Sequence, residues 1–477
     1  MNFFSINHFK SHLLSLIIVI GLSTSCVDDH AGHNHAPGEH DHNTSDQIVI
    51  ELDEPGLVEH VSWSKNATIY EANIRQITPE GTIKAFESKL EDIQDLGIKI
   101  IWVMPIQPIG ELNRKGGLGS PYSIKDYTAV NPDFGDLNDF KSLVKKAHEL
   151  DMKVMLDWVA NHSAWDHHWT IDHPEYYTKD SLGNFMPPNP GWADVLDLNF
   201  DNEEMRIAML DAMKFWINAT DIDGFRCDVS WDVPLDFWNR TRKELNEIKP
   251  MFLLAEAEHP DYHEEAFDMS YGWELMHLMK LVVNGDSSVN SIDKYMRKQN
   301  DRFTKNDYRM NFLTTHDENS WNGTIEERFG SAEKAVAVLT FTINGMPLIY
   351  SGQEYGNNKA LAFFEKDEPT YAQPEIFDFY KTLITLNREN EALWNGENGG
   401  DYHHLESTAN GQVFAFQRQK GESMIVTIVN LSDKPVSFNL LDIAELSLTD
   451  AFTNKKMSIN AQDEINLPAY GYYLLKR

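Results

Sequence analysis

An α/β barrel of eight parallel strands, broken after the third by a long irregular segment and followed by a small all-β domain, is the fold this sequence predicts. Strand-like and helix-like stretches alternate from residue 67 to about 400, as in repeated βα units rather than a sandwich. The run 98–104 is continuously apolar, as a parallel strand buried on both faces requires. From about Gly400 the pattern changes to short alternating strands with turns between them.

The first strand is read at 67–74. Residues 78–96 follow as a helix, with Ile83, Phe86, Leu90 and Ile93 at helical spacing. After the second strand at 98–104, the stretch 136–150 is amphipathic, with Leu137, Phe140, Leu143, Val144 and Ala147 on one side. The third strand is 154–159. Residues 162–202 are rich in Trp, His, Pro, Asp and Gly and are too long for a simple βα loop. Periodicity resumes with a helix at 203–218. The remaining barrel strands are read at 224–228, 252–256, 267–270, 310–315 and 347–350. The closing domain has strands at 413–418, 424–430, 437–440 and 470–475.

A chain of 477 residues exceeds one ordinary domain and suits a large barrel with accessory pieces. Its 42% hydrophobic and 11% aromatic content exclude a disordered chain. A formal charge of −33 leaves no basic face for phosphates, so no nucleic-acid partner is expected. A neutral carbohydrate, recognised by stacking and hydrogen bonds, is compatible with such a surface.

Lys10, the apolar run 13–22 and Ser23-Thr24-Ser25 read as a signal peptide over residues 1–25. The apolar run is too short to span a bilayer as a helix. Cys26 directly after the small residues is similar to a bacterial lipoprotein box, with Leu22 one place further from the cysteine than the strict pattern has it. Cys26 is therefore the expected lipidation site, anchoring an extracytoplasmic protein to a membrane. An ordinary secretory signal with an incidental cysteine is the alternative. Once Cys26 is lipidated, Cys227 is the only thiol left, so no intramolecular disulfide is expected. Residues 26–62 read as a flexible tether containing His30, His33, His35, His40 and His42. Zinc or copper binding is the functional alternative for that tract, but no scaffold there fixes ligand geometry.

Four short segments at predicted strand ends carry the chemistry: DWVANH (157–162), DGFRCD (223–228), LLAEAE (253–258) and FLTTHD (312–317). In a parallel barrel the C-terminal strand ends open on one mouth, so Asp157, Asp228, Glu256 and Asp317 converge there with His162, Arg226 and His316. One carboxylate at a strand end serves equally well as a helix N-cap. The whole set in one mouth does not. Arg226, two residues before Asp228 on the same strand, faces the same way and can hold it ionised. Apolar neighbours such as Leu254 and Ala255 favour a proton on Glu256.

In this order and spread over a barrel's length, the four segments resemble the alpha-amylase family of retaining α-glucan hydrolases. The resemblance runs from about Ser64 to Arg477 and implies a (β/α)8 TIM barrel over 63–398. It also implies an inserted small domain over 163–202 and a C-terminal β-sandwich over 399–477. It implies Asp228 as nucleophile, Glu256 as acid/base and Asp317 as the third carboxylate gripping sugar hydroxyls. His162 and His316 match the sugar-binding histidines, and Tyr122 in SPYSIKDY matches the platform tyrosine. Asp126 and Tyr127 in that segment are read as structural. Asn161 and Asp197 match positions that hold the family's structural calcium through oxygen ligands; no organic cofactor is implied.

The implied substrate is a starch-like polysaccharide or maltooligosaccharide cut at α-1,4 links. An α-1,6-acting or exo-acting glucosidase or a transglycosylase is the alternative within the family, and a non-catalytic glycan-binding lipoprotein the alternative outside it. The SPYSIKDY-like and GFRCDV-like wording, with Asp28-Asp29 after the cysteine, is similar to outer-membrane surface lipoproteins that work with bacterial glycan-uptake machinery. The chain also departs from the family. Val229-Ser230-Trp231-Asp232 replace the common Lys-His pair after the nucleophile, which puts the leaving-side subsite and one calcium contact in doubt. Val229 is shared with branches that cut α-1,6 links. Thr315 stands where Asn usually precedes the histidine. The text around Leu198 lacks the MPKLN-like pattern, which argues against cyclomaltodextrin degradation.

Overall fold

In the computed structural model the described residues are 58–371 and 373–477. The signal peptide, Cys26, the histidine tract and most of the expected tether lie outside them. The tether's last residues lie inside: Val58 and Val61 are buried, and His60 bonds to Asp268 at 2.8 Å and stacks on Tyr308. The chain is therefore docked on the barrel before the expected tether boundary at 62. No helix among the described residues is long and apolar enough to cross a membrane.

Eight parallel strands close a barrel. In chain order they are β1 (Ile69–Ala72), β2 (Ile100–Val103), β3 (Lys153–Val159), then, after an inserted hairpin of β4 (His162–Ala164) and β5 (Val195–Asp197), β6 (Gly224–Asp228), β7 (Phe252–Ala255), β8 (Met269–Tyr271), β9 (Tyr308–Asn311) and β10 (Met346–Tyr350). Their order around the barrel is β1-β10-β9-β8-β7-β6-β3-β2. Strands 1, 2 and 7 are apolar and buried throughout, apart from Glu71. Gly224 starts β6 where a β-carbon would sit 2.2 Å from the Phe252 carbonyl oxygen, so only glycine lets β6 and β7 pair there. The register then sets Asp157 beside Arg226 and Cys227 beside Ala255. One step further, Glu256 N–H donates to the Cys227 carbonyl, which puts Asp228 and Glu256 on adjacent strand ends.

Several expected elements differ in their bounds, and for three of them the residues show why. The helix expected over 78–96 is two helices, Ile83–Glu87 and Leu90–Leu96. Gly81, at φ 67°, and the Thr82 cap delay its start, and the buried face of Ile83, Phe86, Leu90 and Ile93 survives the break. The strand expected at 267–270 is Met269–Tyr271, and the buried Asp268 just before it accepts through its side chain from Leu253 N and Arg242. The strand expected at 310–315 ends at Asn311. Thr315 caps a helix, His316–Trp321, by accepting from Glu318 N, which is the local work of the residue standing in the family's Asn position.

The C-terminal domain is a six-stranded sheet: β11 (Asp401–His404), β12 (Val413–Lys420), β13 (Ser423–Asn430), β15 (Leu446–Asp450), β16 (Lys456–Ile459) and β18 (Tyr472–Lys476). A pair, β14 (Val436–Phe438) with β17 (Ile465–Leu467), covers it. Strand alternation explains its place. Phe414, Phe416, Ile425 and Val429 face the barrel core, while Val413, Ala415, Val426 and Ile428 face the domain's own core. Arg418 ties the seam by donating to the carbonyls of Gly400, Thr342, Ile343 and Trp394.

Candidate active site

The barrel mouth holds a cavity of about 430 Å³, lined by Tyr122, His162, Asp228, Glu256, His316 and Asp317 among others. That volume is in the range of small-molecule sites. Six of the seven catalytic and sugar-binding residues expected from the sequence meet there. The seventh, Arg226, lies fully buried beneath them and organises the floor.

Arg226 Nη1 donates to Asp228 Oδ1 at 2.7 Å and to Asp157 Oδ1 at 3.1 Å, and its Nε donates to the Tyr271 hydroxyl. Its Nη2 lies 3.0 Å from Glu256 Oε2, without the alignment of a hydrogen bond. One guanidinium thus touches both carboxyls of the expected catalytic pair. It also lies over the ring faces of Trp102, Tyr122 and Tyr271, which favour a cation. Burial alone would push its pKa down, but the Asp157 carboxylate foremost, together with the other acidic groups around it, outweighs that and holds it firmly charged.

The two carboxyls sit in opposed settings. Burial pushes Glu256 up to about 8; Arg226 opposes this, while Asp228 and Asp317 add to it, so Glu256 carries a proton at neutral pH. Val229 N–H donates to Glu256 Oε2 at 2.6 Å, on the same oxygen that Arg226 faces. The proton therefore belongs on Oε1. Val229 makes that bond from the left-handed region, φ 44° and ψ 40°, an uncommon setting for a β-branched side chain that costs on the order of 1–3 kcal/mol. Asp228 is also raised by burial, but it takes the short Arg226 hydrogen bond directly, and that favours its ionised form.

The histidines differ in the same way. Burial pulls His162 down to about 4, so it is a neutral imidazole. His316 is buried too, yet the carboxylates of Asp317 and Glu71 hold it up at about 9, so it is an imidazolium. Its Nδ1 bonds to Glu71 Oε1 at 2.5 Å, and its Nε2 lies 2.9 Å from the Tyr122 hydroxyl and 3.3 Å from Asp317 Oδ2. Tyr122 donates to Asp157 Oδ2 at 3.0 Å and stacks on His316.

Asp157 was expected among the carboxylates at the mouth. It is instead wholly buried below the cavity, accepting from Trp102, Tyr122 and Arg226, and acts as an anchor. Asp317 sits in the first turn of a helix rather than on a strand, with its side chain 44% exposed to the cavity mouth. Tyr127 is structural as expected, donating to the carbonyls of Val159 and His162. Asn161 and Asp197 adjoin at the base of the insert, where Leu198 N–H donates to the Asn161 carbonyl at 3.1 Å. Burial and the nearby Asp232 raise the Asp197 carboxyl. Two carboxylates and one amide give an oxygen donor set suited to calcium, though sparse for an ion that takes about six to eight ligands. No set of three His, Cys, Asp or Glu side chains placed to hold a metal occurs among the described residues.

Glu71 escaped the sequence reading. Its signal was a lone carboxylate inside the apolar strand IYEA, since a buried acid needs a partner. The aromatic rim was missed as well: Trp192 beside His162, Trp231 against Trp273, and Trp321 against Phe363 and Phe364. These come from loops and helix ends after separate strands, whose convergence no local pattern announces.

A family profile described as the alpha amylase catalytic domain matches residues 41–194 and 191–400, and one described as the maltogenic amylase C-terminal domain matches 404–474. Among curated proteins the chain is similar to alpha-amylase MalA of Haloarcula japonica, at 25% identity over 80% of this chain and 57% of that one. It is similar to a cyclomaltodextrinase of Thermoanaerobacter pseudethanolicus at 27% identity over 75% of this chain and 65% of that one. The chain thus spans less than two thirds of the length of these two relatives. Among solved structures it is similar to the maltogenic alpha-amylase AmyB of Thermotoga neapolitana, with a TM-score of 0.80 and 29% identity over 87% of this chain and 99% of that one. An alpha-amylase of Lactobacillus plantarum follows with a TM-score of 0.79 and 28% identity over the same shares.

Proposed function

We propose, from the premise that this chain belongs to the alpha-amylase family, that it is a retaining glycoside hydrolase cutting α-1,4-glucosidic bonds in starch-like polysaccharides or maltooligosaccharides. One observation carries the reading: a single buried guanidinium contacts both Asp228 and Glu256 at a cavity mouth, and Glu256 is held up at about 8. Retention needs two such carboxyls about 5–5.5 Å apart, one ionised and one protonated.

Asp228 attacks the anomeric carbon with the oxygen that Arg226 does not hold. Glu256 Oε1 gives its proton to the glycosidic oxygen as that bond breaks, leaving a glycosyl ester on Asp228. The ionised Glu256 then takes a proton from water, whose oxygen displaces Asp228 and restores both groups. The His316 imidazolium and Asp317 hold the hydroxyls of the sugar in the cavity, and Tyr122 supplies a flat face beside it. Asp228→Asn is expected to lower turnover of maltooligosaccharides at least about 10³-fold while binding, read by calorimetry, persists. Turnover close to that of the parent would reject the nucleophile.

The location of the enzyme extends the proposal. Lys10, the apolar run 13–22 and Cys26 support export and a lipid anchor on Cys26, placing the barrel on an outer membrane or cell surface near glycan-uptake machinery. Cys26→Ser should move the protein from the membrane to the soluble fraction; unchanged fractionation would reject the anchor. A structural calcium at the base of the insert is proposed on the donor set of Asn161, Asp197 and Asp232, where a divalent cation would offset the repulsion between the two carboxylates. Chelation is then expected to lower the melting temperature by a few degrees, and added calcium to restore it. An unmoved melting curve would reject the ion.

A further inference from the structure

The two sides of the cavity are built from different segments. Glu256, the proton donor, marks the leaving-group side; Val229, whose N–H donates to its Oε2, and the half-exposed Trp231 two residues on line the same cavity. Tyr122, His316 and Asp317 mark the opposite side, where the sugar that becomes attached to Asp228 must lie.

On that opposite side three separate segments are stitched into one wall. Lys115, at the tip of the loop 108–120, pairs with Asp194 at 2.7 Å and donates to the Gly191 carbonyl at 2.7 Å, which fastens the loop to the inserted domain. Gly117 N–H donates to Glu365 Oε1 at 2.5 Å and Leu118 N–H to the Phe364 carbonyl at 3.0 Å, which fastens the same loop to the segment after β10. Arg75 props the loop from below by donating to the Gly119 carbonyl at 2.9 Å. The fit is close: a β-carbon on Gly117 would meet Glu365 Oε2 at 2.6 Å. Phe363 continues the wall inward, stacking on Tyr122, and Trp321 packs against Phe363 at a tilt.

We propose that this wall, bridged by Lys115 and Glu365, closes the glycone end of the cavity and makes the enzyme exo-acting, releasing one short maltooligosaccharide from the non-reducing chain end. The inference rests on the retaining-hydrolase reading above and names the substrate end that the site accepts. A polymer can thread a trench open at both ends, but a walled cavity accepts only as many sugars as reach the wall. The rest of the chain then extends past the half-exposed Trp231 into solvent.

The test uses the full-length mature enzyme on amylose and on maltooligosaccharides labelled at the reducing end. Expected are one dominant short unlabelled product, labelled remainders that shorten stepwise, and a slow fall in viscosity per bond cut. Mixed product lengths with a fast fall in viscosity from the parent enzyme would overturn the proposal. The double change Lys115→Ala with Glu365→Ala, and separately Gly117→Ala, which pushes Glu365 away, should each broaden the product lengths several-fold relative to the dominant species. Folded variants, as judged by their melting curves, that keep the parent's single product length would overturn the role of the bridge. Failure of the hydrolase reading itself shows differently, as no cleavage of any labelled α-glucan by the parent.

Discussion

Two buried arginines divide this molecule into two kinds of region. Arg226, under the barrel mouth, faces the carboxyls of Asp157, Asp228 and Glu256 and is held firmly charged. Arg418, in the seam between barrel and C-terminal domain, is as deeply buried but donates only to backbone carbonyls, and burial pulls its pKa down with only Asp401 opposing. At the mouth, charges are set against one another so that protons are unequally distributed. In the seam, one charge is spent on joining chain segments that carry no charge. The same side chain is thus chemistry in one place and a clamp in the other, and its partners decide which.

Substitution should separate the two roles. Arg226→Met removes the cation that faces all three carboxyls, so all three rise further and Asp228 loses its ionised form. Turnover is expected to fall at least about 10³-fold, measured on a soluble maltooligosaccharide. Arg226→Lys should recover little of it, because a point charge cannot contact Asp157, Asp228 and Glu256 together. A Lys variant with near-parental turnover would break the contrast.

A middle-sized effect concerns pH. Glu256 gives its proton away as pH rises through about 8, so kcat/KM should fall along a basic limb near that value. His316 is held up at about 9 and keeps its charge over most of that limb. Glu71→Gln removes one of the two carboxylates that hold it there. The His316 imidazolium should then titrate at lower pH, the basic limb should steepen or move down, and KM should rise roughly tenfold. An unchanged pH profile would show that Glu71 only packs. The sign for stability is separate: a histidine raised in the folded state adds stability below its unfolded value near 6.5, and that is lost as pH rises through about 9.

The smallest effect belongs to the seam. Arg418→Met leaves four carbonyls short of a donor, each costing about 1 kcal/mol or more if water does not replace it. The melting temperature should fall by several degrees while kcat/KM stays within twofold. A large loss of turnover with a small loss of stability would show that the seam is coupled to the mouth.

The barrel was legible in the sequence because parallel strands buried on both faces write continuous apolar runs, and Gly224–Asp228 was read to the residue. So were the groups whose roles are local, such as Arg226 and Asp228 two apart on one strand. The strands missed in the C-terminal domain, Asp401–His404, Leu446–Asp450, Lys456–Ile459 and Ile465–Leu467, carry exposed polar residues at alternate positions and read like turns. Glu71 and the wall from Lys115 to Glu365 were hidden for another reason. Their meaning lies in partners 245 and 248 residues away, and only closure of the barrel brings those together.

In the proposed mechanism Asp228 and Glu256 face each other across one sugar, the first forming a covalent bond and the second moving the proton. Proton NMR of the first product released from a maltooligosaccharide, recorded before mutarotation, distinguishes one displacement from two. The arrangement around Arg226 predicts the α-anomer, the stereochemistry of two displacements. A first product in the β form would mean a single displacement by water and would contradict the roles given to both residues.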